Sequence, residues 1–197
     1  KGVTIITNSE VKKLEYTDSR ITGVVSADKA YTADIVVNNT DAAYFYTHLI
    51  PPEKNSTYTE EKLKKMRHSN SYFTINIGLK KPINSLGHHS FFVGKNWKEA
   101  FDLAFTPQSV EKFDTDNMCY YFLQPTISDP SLAPSGKATA FILMPVCGYD
   151  PDFDWLAHED EFKNKIYDVI EMRDGIPIRD LIEEEIVMSP PRWGEKL

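Results

Sequence analysis

The chain has 197 residues, of which 41% are hydrophobic and 26% charged, so it is neither a disordered nor a fibrous protein. This length corresponds to one domain, or to one domain and part of a second. The formal net charge of -7 argues against nucleic acid as a partner. Cys119 and Cys147 have neither the spacing of a metal site nor the density of a disulfide framework, which predicts a reducing, cytoplasmic setting. No apolar run approaches the roughly 20 residues of a membrane span.

The first fifty residues predict a small β-unit, a buried strand and a short helix. Three β-branched runs are typical of strands, at residues 3–7, 11–16 and 20–26. Residues 31–37 end in a fully apolar run, which is typical of a strand buried on both faces. Residues 38–41 then supply helix caps, and Pro51 stops the helix that we expect at residues 42–50.

The rest of the chain predicts a sheet with helices. Five runs are typical of strands, at residues 71–79, 90–93, 118–123, 138–146 and 184–188. Three helices are expected, at residues 57–66, 97–105 and 153–172, and the first has a capping box formed by Thr57 and Glu60. Ser189 followed by two prolines indicates a further helix start. We therefore predict an α+β fold, a mostly antiparallel mixed sheet with helices that follows the small β-unit.

Three polar clusters are candidate sites, and each also has a purely structural interpretation. His88 and His89 are adjacent, so in an extended segment they point to opposite sides and cannot easily share a metal. The carboxylates of residues 150–161 lack the spacing of a calcium loop and suit a helix N-terminus better. A basic patch either touches anionic lipid or faces solvent; its residues are Lys62, Lys64, Lys65 and Arg67. We predict no metal site.

Large aromatic residues recur on the predicted strands, on both faces of the expected sheet. They are Tyr72, Phe73, Phe91, Phe92, Tyr120, Tyr121, Phe122 and Phe141. One interpretation is a plain core between the sheet and its helices. The other is that one face lines a cavity for an extended apolar ligand. The candidate contacts in that case are Tyr72, Phe91, Tyr121 and Phe141.

Several segments, in order along the chain, resemble one known enzyme family. Residues 32–46 read Thr-Ala-Asp-Ile-Val-Val-Asn-Asn-Thr-Asp-Ala-Ala-Tyr-Phe-Tyr, and Leu49-Ile-Pro follows. Further on come His88-His89-Ser, the aromatic helix of residues 97–105, Asp129-Pro-Ser-Leu-Ala-Pro-Ser-Gly and Met144-Pro-Val. The ordered set is similar to the bacterial and fungal type of phytoene desaturase, a flavoenzyme family that dehydrogenates carotenoid precursors.

This resemblance implies FAD as the cofactor and a long polyprenyl hydrocarbon such as phytoene as the substrate, with a hydride passing to the flavin. It assigns residues 1–50 to the last part of an FAD-binding domain. Residues 51–197 become the substrate-side domain of an amine-oxidase-like flavoprotein, truncated at its C-terminus. The positions that approach the cofactor are Val11, Asn39 and Thr40, although the family usually has alanine in place of Thr40.

The resemblance also sets the expected partners. They are the remainder of a longer polypeptide, the isoprenoid substrate and, peripherally, a membrane surface. No catalytic residue is assigned within the chain, so we expect the chain alone to be inactive. Two alternatives stay open: a related FAD-dependent isoprenoid reductase, isomerase or saturase, and a non-catalytic lipid-binding module.

Overall fold

Apolar alternation along the strands and one long amphipathic helix organise the fold of this chain. A computed structural model describes residues 2–27, 29–66, 69–106, 114–147 and 152–195. The chain forms two compact units, Lys1–Arg67 and His68–Leu197. Every strand pair in the described parts is antiparallel, and helices accompany both sheets, so the predicted α+β fold is confirmed.

The first unit contains a three-stranded meander in the order β1-β2-β3, formed by Val11–Thr17, Arg20–Ser26 and Lys29–Thr32. Asp18 lies in the turn between the first two strands with φ of 56°, a left-handed conformation that aspartate tolerates better than most residues. Leu14 of β1 is buried and supplies the centre of this small sheet. The two predicted strands of this hairpin are therefore confirmed.

Helix α1 of the first unit covers Ala42–Tyr44 and continues as a π-helical turn, Phe45–Leu49. Asp41 caps it, because its carboxylate accepts a 2.8 Å hydrogen bond from the backbone N–H of Tyr44. The predicted cap and helix at residues 41–50 are thus confirmed. A single 3-10 turn, Pro52–Lys54, follows.

Helix α2 covers Glu60–Lys64, and the predicted capping role of Thr57 is wrong. Thr59 is the cap, since its side chain accepts a hydrogen bond from the backbone N–H of Lys62. The side-chain amide of Asn55 holds Tyr58 from both sides, at 2.9 Å to its N–H and 2.7 Å to its carbonyl. This turn keeps residues 55–58 out of the helix.

The predicted strand at residues 3–7 is also wrong, and the one predicted at residues 31–37 is wrong beyond Thr32, where β3 ends. Residues 3–7 and 33–37 have no strand structure, and Val3, Ile5, Ile35 and Val37 are between 80 and 85% exposed. A β-branched run forms a strand only when a neighbouring strand pairs with its backbone groups. In the portions of the chain that the structure describes, neither segment has such a neighbour.

The second unit is built on a five-stranded sheet in the order β5-β6-β7-β4-β8. Its strands are β4 Ser71–Leu79, β5 His89–Phe92, β6 Tyr120–Leu123, β7 Ala138–Val146 and β8 Ile182–Met188. The two long central strands pair over their full length, with Ile75 opposite Ile142. The five strands predicted for this region are confirmed, with shifts of up to two residues at their ends.

Helix α4, Trp155–Asp168, covers one face of this sheet and continues as a π-helical turn, Val169–Arg173. Asp154 caps its start by accepting from the N–H of Ala157 at 3.1 Å. One stripe of this helix and its π-helical turn is almost fully buried, and its members are Phe162, Ile166, Val169 and Ile170. The ring of Phe162 lies 4.8 Å from that of Phe73 on β4, so the core lies between α4 and the sheet.

Three short helices complete the second unit: α3 Trp97–Leu103, α5 Ile178–Leu181 and α6 Pro190–Gly194. The predicted helix start after Ser189 is confirmed, although the Ser189 hydroxyl donates to Glu159 of α4 at 2.5 Å instead of capping α6. Among the residues that the structure covers, no helix is both long and apolar enough to cross a membrane.

Candidate ligand-binding face

The five-stranded sheet has a second face, which points away from α4. We call it the open face and define it by the side chains that alternate with the core residues on β4 to β8. Its principal members are Tyr72, Asn76, His89, Phe91, Tyr121, Leu123, Phe141, Leu143 and Ile186. All of them are part-exposed or exposed, with Phe91 at 75% and Ile186 at 64%.

Strand register arranges the open face in two cross-strand rows. The first row runs Phe91, Tyr121, Leu143, Thr74 and Met188. The second row runs His89, Leu123, Phe141, Asn76 and Ile186. Four strand spacings make each row roughly 19 Å long. The arrangement is an elongated, mainly apolar strip with few polar groups, which suits an extended hydrocarbon better than a compact polar molecule.

All four predicted ligand contacts lie on this face. Phe91 and Tyr121 are directly opposite each other, with ring centroids 4.9 Å apart. Phe141 belongs to the adjacent row, and Tyr72 lies near the start of β4, opposite Pro145. The other four aromatics of the prediction, Phe73, Phe92, Tyr120 and Phe122, lie on the core side. The core interpretation therefore holds for the side of the sheet that faces α4, and the ligand interpretation stays a prediction for the open face.

The two adjacent histidines lie at one edge of the open face, and their predicted divergence is wrong. Their ring centroids are only 4.3 Å apart, with planes inclined by 41°. Strand alternation does not apply to this pair, because β5 begins at His89 and His88 lies in the bend before it. His89 Nδ1 lies 2.6 Å from Tyr121 Oη, and His88 Nδ1 lies 2.5 Å from Ser128 Oγ.

Polar networks on the core side of the sheet have a structural role. The Tyr120 hydroxyl donates to Asp174 at 2.6 Å, and Arg173 binds the same carboxylate with two nitrogens at 3.0 Å. Burial, and then the hydrogen bond to Asp174, raise the pKa of Tyr120 far above its ordinary value. Arg173 also donates to the Met118 carbonyl at 2.6 Å, which ties the end of α4 to the chain before β6.

A second network of this kind links α4 to β8. The Tyr167 hydroxyl donates to Glu185 at 2.7 Å, and Lys163 reaches the same carboxylate at 2.6 Å. Burial, and then the hydrogen bond to Glu185, raise the pKa of Tyr167. Burial opposes ionisation of Glu185, but the hydrogen bonds from Lys163 and Tyr167 outweigh it and lower the pKa of that carboxyl. These groups fasten the helix to the sheet edge.

The predicted cofactor residues all belong to the first unit. Val11 begins β1, and Asn39 and Thr40 lie in the exposed loop before α1. Thr40 donates through its hydroxyl to the Asn38 side chain at 2.7 Å. The Tyr44 hydroxyl donates to Glu10 at 3.3 Å, which brings the start of β1 close to α1. The exposed polar groups of this region suit hydrogen bonds to a cofactor, but the chain has no Gly-rich phosphate loop.

The described members of the remaining polar clusters form local ion pairs and a helix cap. Lys64 and Lys65 of the basic patch each form an exposed i,i+4 ion pair, with Glu60 and Glu61, and Arg67 lies outside the described residues. Asp154 of the carboxylate cluster serves as the cap of α4, whereas Asp150 also falls outside the described parts. Across the described ranges, no group of three or more histidine, cysteine, aspartate or glutamate side chains could hold a metal ion.

Sequence reasoning missed several members of the open face. Leu143 and Ile186 are aliphatic and do not belong to the aromatic pattern. The alternation of Phe141 and Leu143 along β7 was a usable signal, since both lie on the face opposite Ile142. Ile186 could not be placed without knowing that β8 pairs with β4.

Known proteins match this chain along almost its whole length. A 4,4'-diapophytoene desaturase (4,4'-diapolycopene-forming) of Methylomonas is 32% identical over 194 residues, which cover 98% of this chain and 37% of the relative. A neurosporene-forming phytoene desaturase of Rhodobacter capsulatus is 31% identical over 196 residues, 96% of this chain and 37% of the relative. The chain is similar to these two desaturases along almost its whole length. It spans little more than a third of the length of these relatives.

Solved structures support the fold. The crystal structure of an oxidoreductase from Methanosarcina mazei matches with a TM-score of 0.54 and 18% identity, over 92% of this chain and 36% of that one. At this identity the match concerns the fold alone. No protein-family model matches the chain.

Proposed function

We propose that this chain is part of an FAD-dependent oxidoreductase that dehydrogenates a long polyprenyl or carotenoid precursor such as phytoene. The open face carries the proposal, because four aromatic side chains and several aliphatic ones form one elongated strip on a single side of the sheet. The relatedness to phytoene desaturases supports the substrate class. In this assignment, residues 1–50 come from the cofactor domain and residues 51–197 from the substrate-side domain.

The open face would hold the substrate by burying its hydrocarbon surface. Burial of apolar area contributes about 25 cal/mol per Å², and it is non-directional, so an apolar strip can bind a chain without polar recognition. Phe91 and Tyr121 would supply ring edges and faces, and Phe141 and Leu143 would supply the middle of the strip. Dehydrogenation of such a substrate depends chiefly on the position and orientation of the chain.

FAD belongs to the proposal as the cofactor of the whole enzyme. When bound, it would accept the hydride removed from the substrate. The residues of this chain that we assign to it are Val11, Asn39 and Thr40, whose backbone and side-chain groups would form hydrogen bonds at its periphery. The phosphate-binding loop would come from another part of the polypeptide, since this sequence has none.

The remainder of a longer polypeptide is the proposed partner of the first unit. The exposed β-branched segments around Ile5 and Ile35 support this, because strands of such composition normally pair within a sheet. A membrane surface is the source from which a water-insoluble substrate would come. The basic patch supports membrane contact only weakly, since Lys64 and Lys65 are each paired with a glutamate.

A binding experiment tests the open face directly. We expect the chain to enhance the fluorescence of 1,6-diphenylhexatriene, an uncharged polyene, and squalene to displace it. Phe141→Asp should weaken this binding by about tenfold or more, because it removes a large apolar contact and adds a charge. Leu156→Asp, at an exposed position of α4, is the matched control and should bind normally. Equal binding by both variants would argue against the open face.

An activity experiment separates the proposed reaction from its alternatives. The full-length protein, supplied with FAD and phytoene, should generate new conjugated double bonds that are visible by absorbance. Loss of conjugation from a polyene substrate would instead indicate a saturase or reductase, and a change of geometry alone an isomerase. Binding without any turnover, in a protein that also retains no flavin, would favour the lipid-binding module.

A further inference from the structure

An imidazole lies at the edge of the mainly apolar strip. His89 is the first residue of the second row, and its Nδ1 is 2.6 Å from the hydroxyl of Tyr121 in the first row. The two rings lie 5.9 Å apart and nearly parallel, at 19°. Tyr121 in turn packs against Phe91 at 4.9 Å. His89 is therefore the polar end of a three-ring stack on the open face.

The backbone around the histidine pair is firmly held. The carbonyl of His88 accepts a 2.9 Å hydrogen bond from the N–H of Gln124. Gln124 is fully buried, and its side-chain oxygen accepts from the N–H of Ile83 at 2.9 Å. Ser128 binds the imidazole of His88 from the other side. These contacts hold the chain at His88, next to His89, whose own ring is directed at the Tyr121 hydroxyl.

We propose that His89 is a positioning residue of the open face, which holds the Tyr121 ring in place when neutral and weakens ligand retention when protonated. This inference rests on the proposed function, since it concerns the same face and the same apolar ligand. It names a titratable determinant within a mainly apolar surface, and it makes retention of the ligand dependent on pH.

Protonation of His89 changes its interaction with Tyr121 and with a bound ligand. A neutral imidazole can accept the Tyr121 proton at Nδ1, whereas an imidazolium must donate there, so the tyrosine hydroxyl has to reverse its role. An apolar ligand that covers the strip also removes water from His89, and a charge without a counter-ion is costly to desolvate. The neighbouring imidazole of His88, 4.3 Å away between ring centroids, adds repulsion if both are charged.

Among the described residues, the groups that form hydrogen bonds with the two imidazoles are hydroxyls. Tyr121 faces the pair from β6, and Ser128 faces it from the turn after β6. Asp129, next to Ser128, accepts hydrogen bonds from Ser131 instead. In the described parts of the chain, no carboxylate forms an ion pair with either imidazole. Ligand binding should therefore favour the neutral pair, and the affinity should rise with pH to a plateau.

The test is a diphenylhexatriene titration between about pH 5.5 and 8.5, a range that spans the usual titration of imidazole. The probe has no titratable group. We expect the wild-type affinity to fall about five- to tenfold from pH 8 to pH 5.5, well within the limit of tenfold per pH unit that one linked proton sets. His89→Gln, which is always neutral and can still bond to Tyr121, should keep the high-pH affinity within about twofold and lose most of the pH response.

Two further variants serve as controls. His158→Gln removes a histidine of α4 that is bound to Glu161, and it should keep the full pH response. Tyr121→Phe keeps the ring without its hydroxyl, so it should bind about two- to threefold more weakly at pH 8 and still respond to pH. Circular dichroism at each pH would verify that the variants stay folded, because a purely structural role of His89 would alter stability and leave the pH profile unchanged.

The outcomes are distinct. Binding with a flat wild-type profile, or a full pH response in His89→Gln, would overturn this inference and leave the open face as a ligand site. Absence of probe binding at every pH, in a folded chain, would overturn the ligand site and this inference with it.

Discussion

Tyr120 and Tyr121 are neighbours in β6, and strand alternation gives them opposite environments. Tyr120 points into the core, where its hydroxyl donates to the Asp174 carboxylate. Tyr121 points to the open face, where its hydroxyl meets His89. One tyrosine thus connects the sheet to the end of the long helix, and the next faces the proposed ligand. The residue type alone therefore does not reveal the role of either.

Replacement of the two tyrosines should separate these roles. Tyr120→Phe should lower the free energy of unfolding by roughly 1–3 kcal/mol, because it removes a buried hydrogen bond to a charged group. Tyr121→Phe should change it by less than about 1 kcal/mol, since its hydroxyl is part-exposed. Urea denaturation of both variants measures the difference. If both variants lost the same free energy of unfolding, the buried hydrogen bond to Asp174 would contribute no more than the part-exposed one of Tyr121.

Alkaline pH should weaken the fold through the buried tyrosines. Burial, then hydrogen bonds to Asp174 and Glu185, raise the pKa values of Tyr120 and Tyr167 above their ordinary range. An unfolded tyrosine ionises near pH 10, so the stability from these groups is complete below about pH 10 and is lost as the pH rises further. The double variant Tyr120→Phe/Tyr167→Phe should lose stability less steeply between pH 9 and 11 in urea titrations. Parallel slopes would contradict the assignment.

The elements that were predicted best from the sequence are those whose packing partners lie in the same unit. Strands β4 and β7 alternate along their whole length, and the buried stripe of α4 repeats at helical spacing. Their neighbours lie within the same unit, so the expected burial is realised. The segments around Ile5 and Ile35 have an equally strong local pattern, but pairing with another strand decides whether they form strands.

Local hydrogen bonds explain the remaining differences. The start of α2 depends on an Asn55 turn that competes with the capping box. The approach of His88 to His89 depends on a bend outside β5, where the two-residue period fails. The open face was predicted in its aromatic members, because they alternate within single strands. Its aliphatic members depend on strand order, which a single sequence does not encode locally.

The cap of α2 can be tested with a matched pair of threonines. Thr59→Ala should destabilise the first unit by roughly 0.5–1 kcal/mol, because it leaves the Lys62 N–H without its side-chain acceptor. Thr57→Ala removes the predicted cap and should change stability by less than about 0.5 kcal/mol. Far-ultraviolet circular dichroism during denaturation measures both. A larger effect of Thr57→Ala would restore the capping-box interpretation.

At the scale of the whole molecule, the two units carry different parts of the proposed function. The second unit has its own core of sheet and helix, together with the open face. The first unit has one small sheet, short helices and two exposed apolar segments. We therefore expect ligand binding to depend on the second unit and flavin binding to depend on the first unit together with other parts of the polypeptide.

Flavin retention tests the expectation that flavin binding needs the first unit together with other parts of the polypeptide. The 197-residue chain lacks a Gly-rich phosphate loop, and such loops provide the backbone N–H groups that hold a dinucleotide pyrophosphate. After incubation with FAD and gel filtration, the chain should therefore retain far less than one flavin per molecule by absorbance. In the full-length protein, Asn39→Ala should weaken flavin retention by roughly three- to tenfold, the effect of one lost hydrogen bond. Asn84→Ala, an exposed asparagine of the second unit, should have no effect. A stoichiometric yellow complex of the 197-residue chain would instead mean that residues of this chain alone form a complete flavin site.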